Sequence, residues 1–107
     1  MGAVLESFVA MELLRQADWA DEPVSLFHYR DKQQREVDVV LERGGGEVVG
    51  VEVKSAATAT TRDFAGLRYL RDRLGARFKA GVVLYTGEET LPFGDRLAAV
   101  PISGLWG

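Results

Sequence analysis

The sequence predicts an α/β fold: a mixed sheet of four or five strands flanked by two helices. Three observations carry this. Val37 to Glu42 and Val48 to Lys54 alternate with the period of a strand, and Gly44-Gly45-Gly46 between them suits a tight three-residue loop. Ala80 to Tyr85 is almost wholly apolar, as a buried central strand requires. Two segments, Val4 to about Trp19 and Asp63 to Leu74, repeat their apolar residues at helical spacing.

The elements follow in order. Leu5, Phe8, Val9 and Leu13 form the stripe of the first helix, which Pro23 bounds. Ser25 to Asp31 reads as a strand carrying Phe27 and Tyr29, and Asp31-Lys32-Gln33-Gln34 as a polar turn. The glycine hairpin comes next. Ser55 to Thr61 is a small, polar connection whose threonines can cap a helix. In the second helix Phe64, Leu67, Leu70 and Leu74 face inward, and Arg62, Arg68, Arg71, Asp72 and Arg73 make a solvated face. Gly75 stops it. Leu97 to Ile102 reads as a short last strand, with Leu105 and Trp106 packing behind it. The order is α-β-β-β-α-β-β.

At 107 residues the chain suits one domain, residues 1–107. Hydrophobic residues at 47% and charged residues at 27% place it among soluble globular proteins. The absence of cysteine excludes disulfides and thiolate metal sites and fits a reducing cytoplasm. A single histidine disfavours zinc. No run reaches membrane-spanning length, and Met1-Gly2-Ala3 lacks the basic start of a secretory signal. A formal net charge of −3 disfavours binding nucleic acid by bulk positive charge and leaves a local basic patch as the route.

The chemistry-bearing pattern is at the hairpin. Centring the turn on Gly45 sets Arg43 opposite Glu47, Val40 opposite Gly50 and Asp38 opposite Glu52. Two carboxylates then meet across one sheet face, with Lys54 on the same face. Facing carboxylates repel unless a cation or an ammonium compensates. A hard cation such as Mg²⁺ or Mn²⁺ is typically held by one or two carboxylates plus waters. Asp38 and Glu52 are the candidate ligands, and the Val53 carbonyl can add a third oxygen. Lys54 is placed to orient or deprotonate a water, or to neutralise a transition state. Glu6, bordering the first helix's buried stripe, is a further acidic candidate. An E-x-K triplet alone is more often a solvated salt bridge, and the facing Asp38 is what raises its weight. His28 reads as a structural histidine near Asp38, and Glu12 and Glu42 as solvent-facing. The triple glycine is a turn, because a phosphate-binding loop needs Gly-Lys-Ser/Thr before a helix. Trp19 and Trp106 read as core or interface anchors, and an exposed Trp106 would favour self-association.

Asp38 followed by Glu52-Val53-Lys54 on adjacent strands, after a helix carrying Glu6, resembles the PD-(D/E)xK nuclease superfamily. More closely, the chain is similar to the domain of unknown function that follows the ATPase module in many prokaryotic AAA+-type proteins. The matching stretches are Gly2 to Val9, His28 to Asp31, Glu36 to Val40, Val51 to Ser55, Asp63 to Leu67 and Pro101 to Trp106. The resemblance implies a restriction-endonuclease-like α-β-β-β-α-β core and Mg²⁺-dependent hydrolysis of DNA or RNA. It makes Asp38 and Glu52 metal ligands, Lys54 the catalytic lysine and Glu6 the helix-borne acid. It also implies an ATPase module in the same or a partner chain, so the chain is expected to be the C-terminal part of a larger ATPase-fused protein. Several nuclease subfamilies carry Gln-x-x-x-Tyr in the second helix; here Tyr69 is present and position 65 is alanine. Tyr69, Arg68 and Arg71 are the candidate nucleic-acid contacts. The other function this resemblance admits is a catalytically weak or inactive binding and regulatory module of the ATPase.

Overall fold

The computed structural model describes residues 24–33 and 35–103. The expected first helix, with Glu6, Glu12 and Trp19, lies outside the described residues, as do Leu105 and Trp106. Six strands form one open mixed sheet, β1 (Val24–Arg30), β2 (Glu36–Arg43), β3 (Val48–Val53), β4 (Phe78–Tyr85), β5 (Leu91–Pro92) and β6 (Leu97–Pro101), in the order β1-β2-β3-β4-β6-β5. Strands β1, β2 and β3 pair antiparallel, β3-β4 and β4-β6 parallel, and β5 lies antiparallel on β6. A 3₁₀ turn (Thr61–Phe64) leads into helix α1 (Ala65–Leu74), which makes the crossover between parallel β3 and β4.

The hairpin follows its turn. Arg43 N–H donates to Glu47 O and Gly46 N–H to Arg43 O, with Gly46 at φ 85°. A left-handed residue at the end of a three-residue loop favours glycine. The register is Val40 opposite Gly50, as the sequence predicts. The 3₁₀ turn buries Phe64, and helix α1 buries Leu67 and Leu70, on the sheet against Val37, Val40, Val48, Phe78 and Val83. The opposite sheet face gathers Val39, Leu41, Val51 and Leu84.

Several expectations are corrected. Among the described residues the sheet has six strands, not four or five, because Leu91–Pro92 adds a two-residue strand too short to show a period. The described residues contain one α-helix, which begins at Ala65 after a 3₁₀ turn, not at Asp63. Strand β4 starts at Phe78, whose ring is fully buried, two residues before the apolar run. Alternation through β2 is not strict. Phe27 pairs with Val40 but Tyr29 with Val37, so His28 stands opposite both Asp38 and Val39. This bulge puts Val37 and Val40 together on the helix side and Val39 on the other. Glu42, expected in solvent, is half-buried and accepts from Arg77 Nη2 at 3.2 Å.

Candidate active site

The bulge lies where the β2–β3 ladder ends. The last paired residues are Val39 and Val51. Beyond them, side chains take over the backbone's hydrogen bonds. Val53 N–H donates to Asp38 Oδ2 at 2.8 Å, and Asp38 N–H donates to Glu52 Oε1 at 2.5 Å. Each carboxylate therefore reaches across to the other strand. Both residues are half-buried. His28 Nδ1 stands 3.4 Å from the Asp38 carbonyl oxygen, within the same bulge. Lys54 N–H donates to Leu84 O on β4, so the neighbouring Val53 N–H and C=O are turned toward β2 and Asp38.

Beside this crossing lies an open cleft of about 450 Å³, between the strand ends and the start of α1. Glu52, Val53 and Lys54 line it, together with Arg35, Arg62 and Asp63. Asp38 is not a lining residue and joins the cleft at its edge, through Val53 and Glu52. Lys54 Nζ donates to Asp63 Oδ2 at 2.5 Å, an ion pair with both side chains largely covered. Asp63 also accepts from Thr60 N–H at 2.7 Å and so closes the 3₁₀ turn. Burial pushes the Asp63 carboxyl up, but the Lys54 and Thr60 hydrogen bonds and the Lys54 charge outweigh it. The net result lies below its ordinary 3.8.

Arg35 is a second cation of the cleft with partners of its own. Its Nε donates to Asp31 Oδ2 at 2.7 Å and its Nη2 to Gln33 Oε1 at 3.0 Å. Its guanidinium carbon stands 3.6 Å from the centre of the Tyr69 ring. Tyr69 in turn stacks on Tyr29 at 6.0 Å. Desolvation, then hydrogen bonds with Tyr69 and Asp31, push the Tyr29 hydroxyl up to about 12.

The structure thus brings Glu52, Val53 and Lys54 into one cleft with Asp38 at its edge. Glu6 is outside the described residues. Arg68, Arg71 and Tyr69, the candidate nucleic-acid contacts, each have a partner within the domain. Arg68 Nη1 donates back to Thr61 O at 2.6 Å, Arg71 Nη1 donates to Asp95 O at 3.2 Å, and Tyr69 lies under Arg35. The residues that sequence reasoning passed over are Asp63 and Arg35, with Arg62, read as part of a solvated helix face, now lining the cleft. Thr60-x-x-Asp63 is a capping-box pattern, and that was the signal available for Asp63. Arg35 follows Asp31 by four positions across a turn, a spacing with no comparable signature.

For a hard cation the described donors are two carboxylates and a carbonyl. Among the described residues no group of three or more Asp, Glu, His or Cys side chains gathers at one point. A Mg²⁺-like ion with a partly aqueous shell fits such a set, whereas an all-protein cage does not. Among the described residues no helix is long and apolar enough to cross a membrane.

Fold and site together define an α/β domain with paired acidic residues at a bulged strand end and a lysine beside them. The chain belongs to the family described as Domain of unknown function (DUF4143), whose model matches residues 1–105. None of the curated proteins and none of the solved structures compared with it matches.

Proposed function

We propose that this domain is a metal-dependent nuclease of the PD-(D/E)xK type, hydrolysing phosphodiester bonds of DNA or RNA with Mg²⁺ or Mn²⁺. The observation that carries it is the crossing of Asp38 and Glu52 at the strand end, one residue from Lys54. Asp38, Glu52 and the Val53 carbonyl would hold the ion, which neutralises phosphoryl charge and lowers the pKa of a bound water. Asp38 has Oδ2 on Val53 N–H, so Oδ1 is the oxygen that would be offered to the ion. Lys54, an ammonium paired with Asp63, donates hydrogen bonds and opposes developing negative charge. Hydrolysis adds water across one P–O ester bond. The water oxygen bonds phosphorus, and the ester oxygen leaves carrying a proton.

A second function has its own support. Lys54 is tied to Asp63 and the chain carries −3 net charge, which favours a weakly active module serving an AAA+-type ATPase in the same or a partner chain. Cleavage of single- and double-stranded DNA and RNA with Mn²⁺, then with EDTA, separates the two. A nuclease cleaves only with metal, and Lys54→Ala lowers its rate by ~10²–10⁴ while metal binding by calorimetry is retained. Metal-independent cleavage, or unchanged rates in Lys54→Ala, refutes the nuclease. Metal binding with no cleavage of any substrate selects the ATPase-associated module.

A further inference from the structure

We infer that Arg35 is the phosphate anchor of the cleft, gripping the backbone of the polynucleotide whose phosphodiester lies beside Glu52 and Lys54. The identity of the ligand rests on the nuclease proposal; the role of Arg35 as an anion anchor rests on its own geometry.

Arg35 occupies the turn between β1 and β2, and that turn closes without its guanidinium. Asp31 N–H donates to Arg35 O at 3.0 Å, and the backbone N–H groups of Gln33 and Arg35 donate to Asp31 Oδ1 at 3.0 and 3.1 Å. The guanidinium is nevertheless fixed on three sides, by Asp31, by Gln33 and by the Tyr69 ring. A planar guanidinium held in this way has lost its rotamer freedom before a ligand arrives. Among the described residues no hydrogen bond uses its Nη1, whose N–H groups are left to donate. The side chain keeps 33% of its surface exposed and lines the same cleft as Glu52, Lys54 and Arg62. Arg68, by contrast, is turned back onto Thr61, and Arg71 onto Asp95.

Charge sets a condition on this binding. Arg35, Lys54 and Arg62 line the cleft against Glu36, Glu52 and Asp63, a formally neutral set. A divalent cation at Glu52 turns the balance positive, so a polyanion is gripped best when the cation is present.

Fluorescence anisotropy of labelled DNA and RNA oligonucleotides with Ca²⁺ in place of Mg²⁺ reads binding without cleavage. Arg35→Gln is expected to weaken binding about tenfold, the loss of one charge-assisted phosphate contact. It should also reduce the magnitude of the slope of log K against log salt by about 0.7 for a single strand. Arg35→Lys should keep the slope and recover only part of the affinity, because it keeps the charge and loses the planar group that Asp31, Gln33 and Tyr69 hold in place. A structural role alone moves the melting temperature and leaves the slope unchanged. Wild-type affinity and slope in Arg35→Gln overturn the inference, as does a wild-type protein that binds neither oligonucleotide. Should Arg35→Gln not fold, Arg35→Lys decides, and affinity equal to wild type overturns it. Arg35-dependent binding with no cleavage in Mg²⁺ or Mn²⁺ refutes only the hydrolytic activity and leaves the anchor standing.

Discussion

Gly66→Ala sets two opposing effects on one position and lets the structure choose the sign. Alanine in a helix is favoured over glycine by about 1 kcal/mol. Gly66, however, is buried in the first turn of α1, and a Cβ there would stand 2.3 Å from the Glu36 carbonyl oxygen and 3.1 Å from Val37 Cγ2. The obstacle at 2.3 Å is backbone at the start of β2, which cannot rotate aside as a side chain can. Carbon–oxygen contacts settle near 3.3 Å, so the helix start must lift by about 1 Å. A gap of that size forfeits a quarter to a half of the dispersion well at each contact it opens, and Phe64 and Leu67 are both fully buried beneath this turn. Overpacking typically costs 1–3 kcal/mol, and the rigid neighbour places this site near the upper end at about 3. Less the helix gain, the expected loss is about 2 kcal/mol, or roughly 8–16 °C in Tm for a domain of this size. Urea and thermal unfolding of Gly66→Ala measure it. Ala65→Gly, at an exposed neighbouring position, is the control and should lose no more than about 1 kcal/mol. A Gly66→Ala protein that melts above wild type would refute the close docking of α1 on β2, and with it the shape of the cleft that Gly66 lines.

Two further predictions concern the charges of the site. Mg²⁺ or Mn²⁺ at 100-fold excess over its dissociation constant should stabilise the wild type by about 2.7 kcal/mol, and Asp38→Asn should abolish most of that gain; a wild-type melting temperature indifferent to millimolar metal rules out the cation site. The Asp63 carboxyl, held below its ordinary 3.8, contributes stability that is present above that pH and lost as pH falls through its folded value, so Asp63→Asn should lower the melting temperature at neutral pH and converge with wild type in acid; parallel curves from pH 7 to 2 would refute the Lys54 pair as a stabilising contact.

The hairpin was legible because two independent signals agreed on it, the period of two on both strands and a glycine turn that fixes their offset. Register then follows by counting, and Val40 opposite Gly50 needs nothing else. Strand β4 was legible for its continuous apolar run and α1 for its stripe. What was not legible depends on contacts between elements distant in sequence. Nothing in Val37-Asp38-Val39-Val40 marks a bulge, since all three valines suit either face; the bulge is set by how β1 pairs with β2 around His28. The Lys54–Asp63 pair requires the 55–60 connection to fold the 3₁₀ turn back against the end of β3. Arg35 meets Tyr69 because α1 docks close to β2, which a glycine at position 66 permits. Leu91–Pro92 is held in the sheet by its pairing with β6, not by any pattern of its own.

The bulge also explains why the two carboxylates coexist at one strand end. Hydrogen-bonded pairs run along the hairpin from Arg43 and Glu47, and in an unbroken ladder Val53 N–H would next meet the Val37 carbonyl. The extra residue on β2 disrupts that pairing, as bulges do, and bulges are over-represented beside active sites. Asp38 Oδ2 takes the Val53 N–H, and Glu52 Oε1 takes the N–H of Asp38 itself. An ionised carboxylate is an acceptor only, so both side chains do work that a carbonyl would otherwise do. Asn and Gln also present a carbonyl oxygen in that position, so Asp38→Asn and Glu52→Gln preserve the crossing and remove only charge. Alanine removes both and leaves a part-buried N–H unpaired, at about 1–3 kcal/mol each. With metal removed, Asp38→Asn should therefore melt no lower than wild type, since it also relieves the repulsion between the acids, while Asp38→Ala should melt well below it. If the two variants melt alike without metal, the carboxylates are not standing in for the ladder, and their closeness requires another cause.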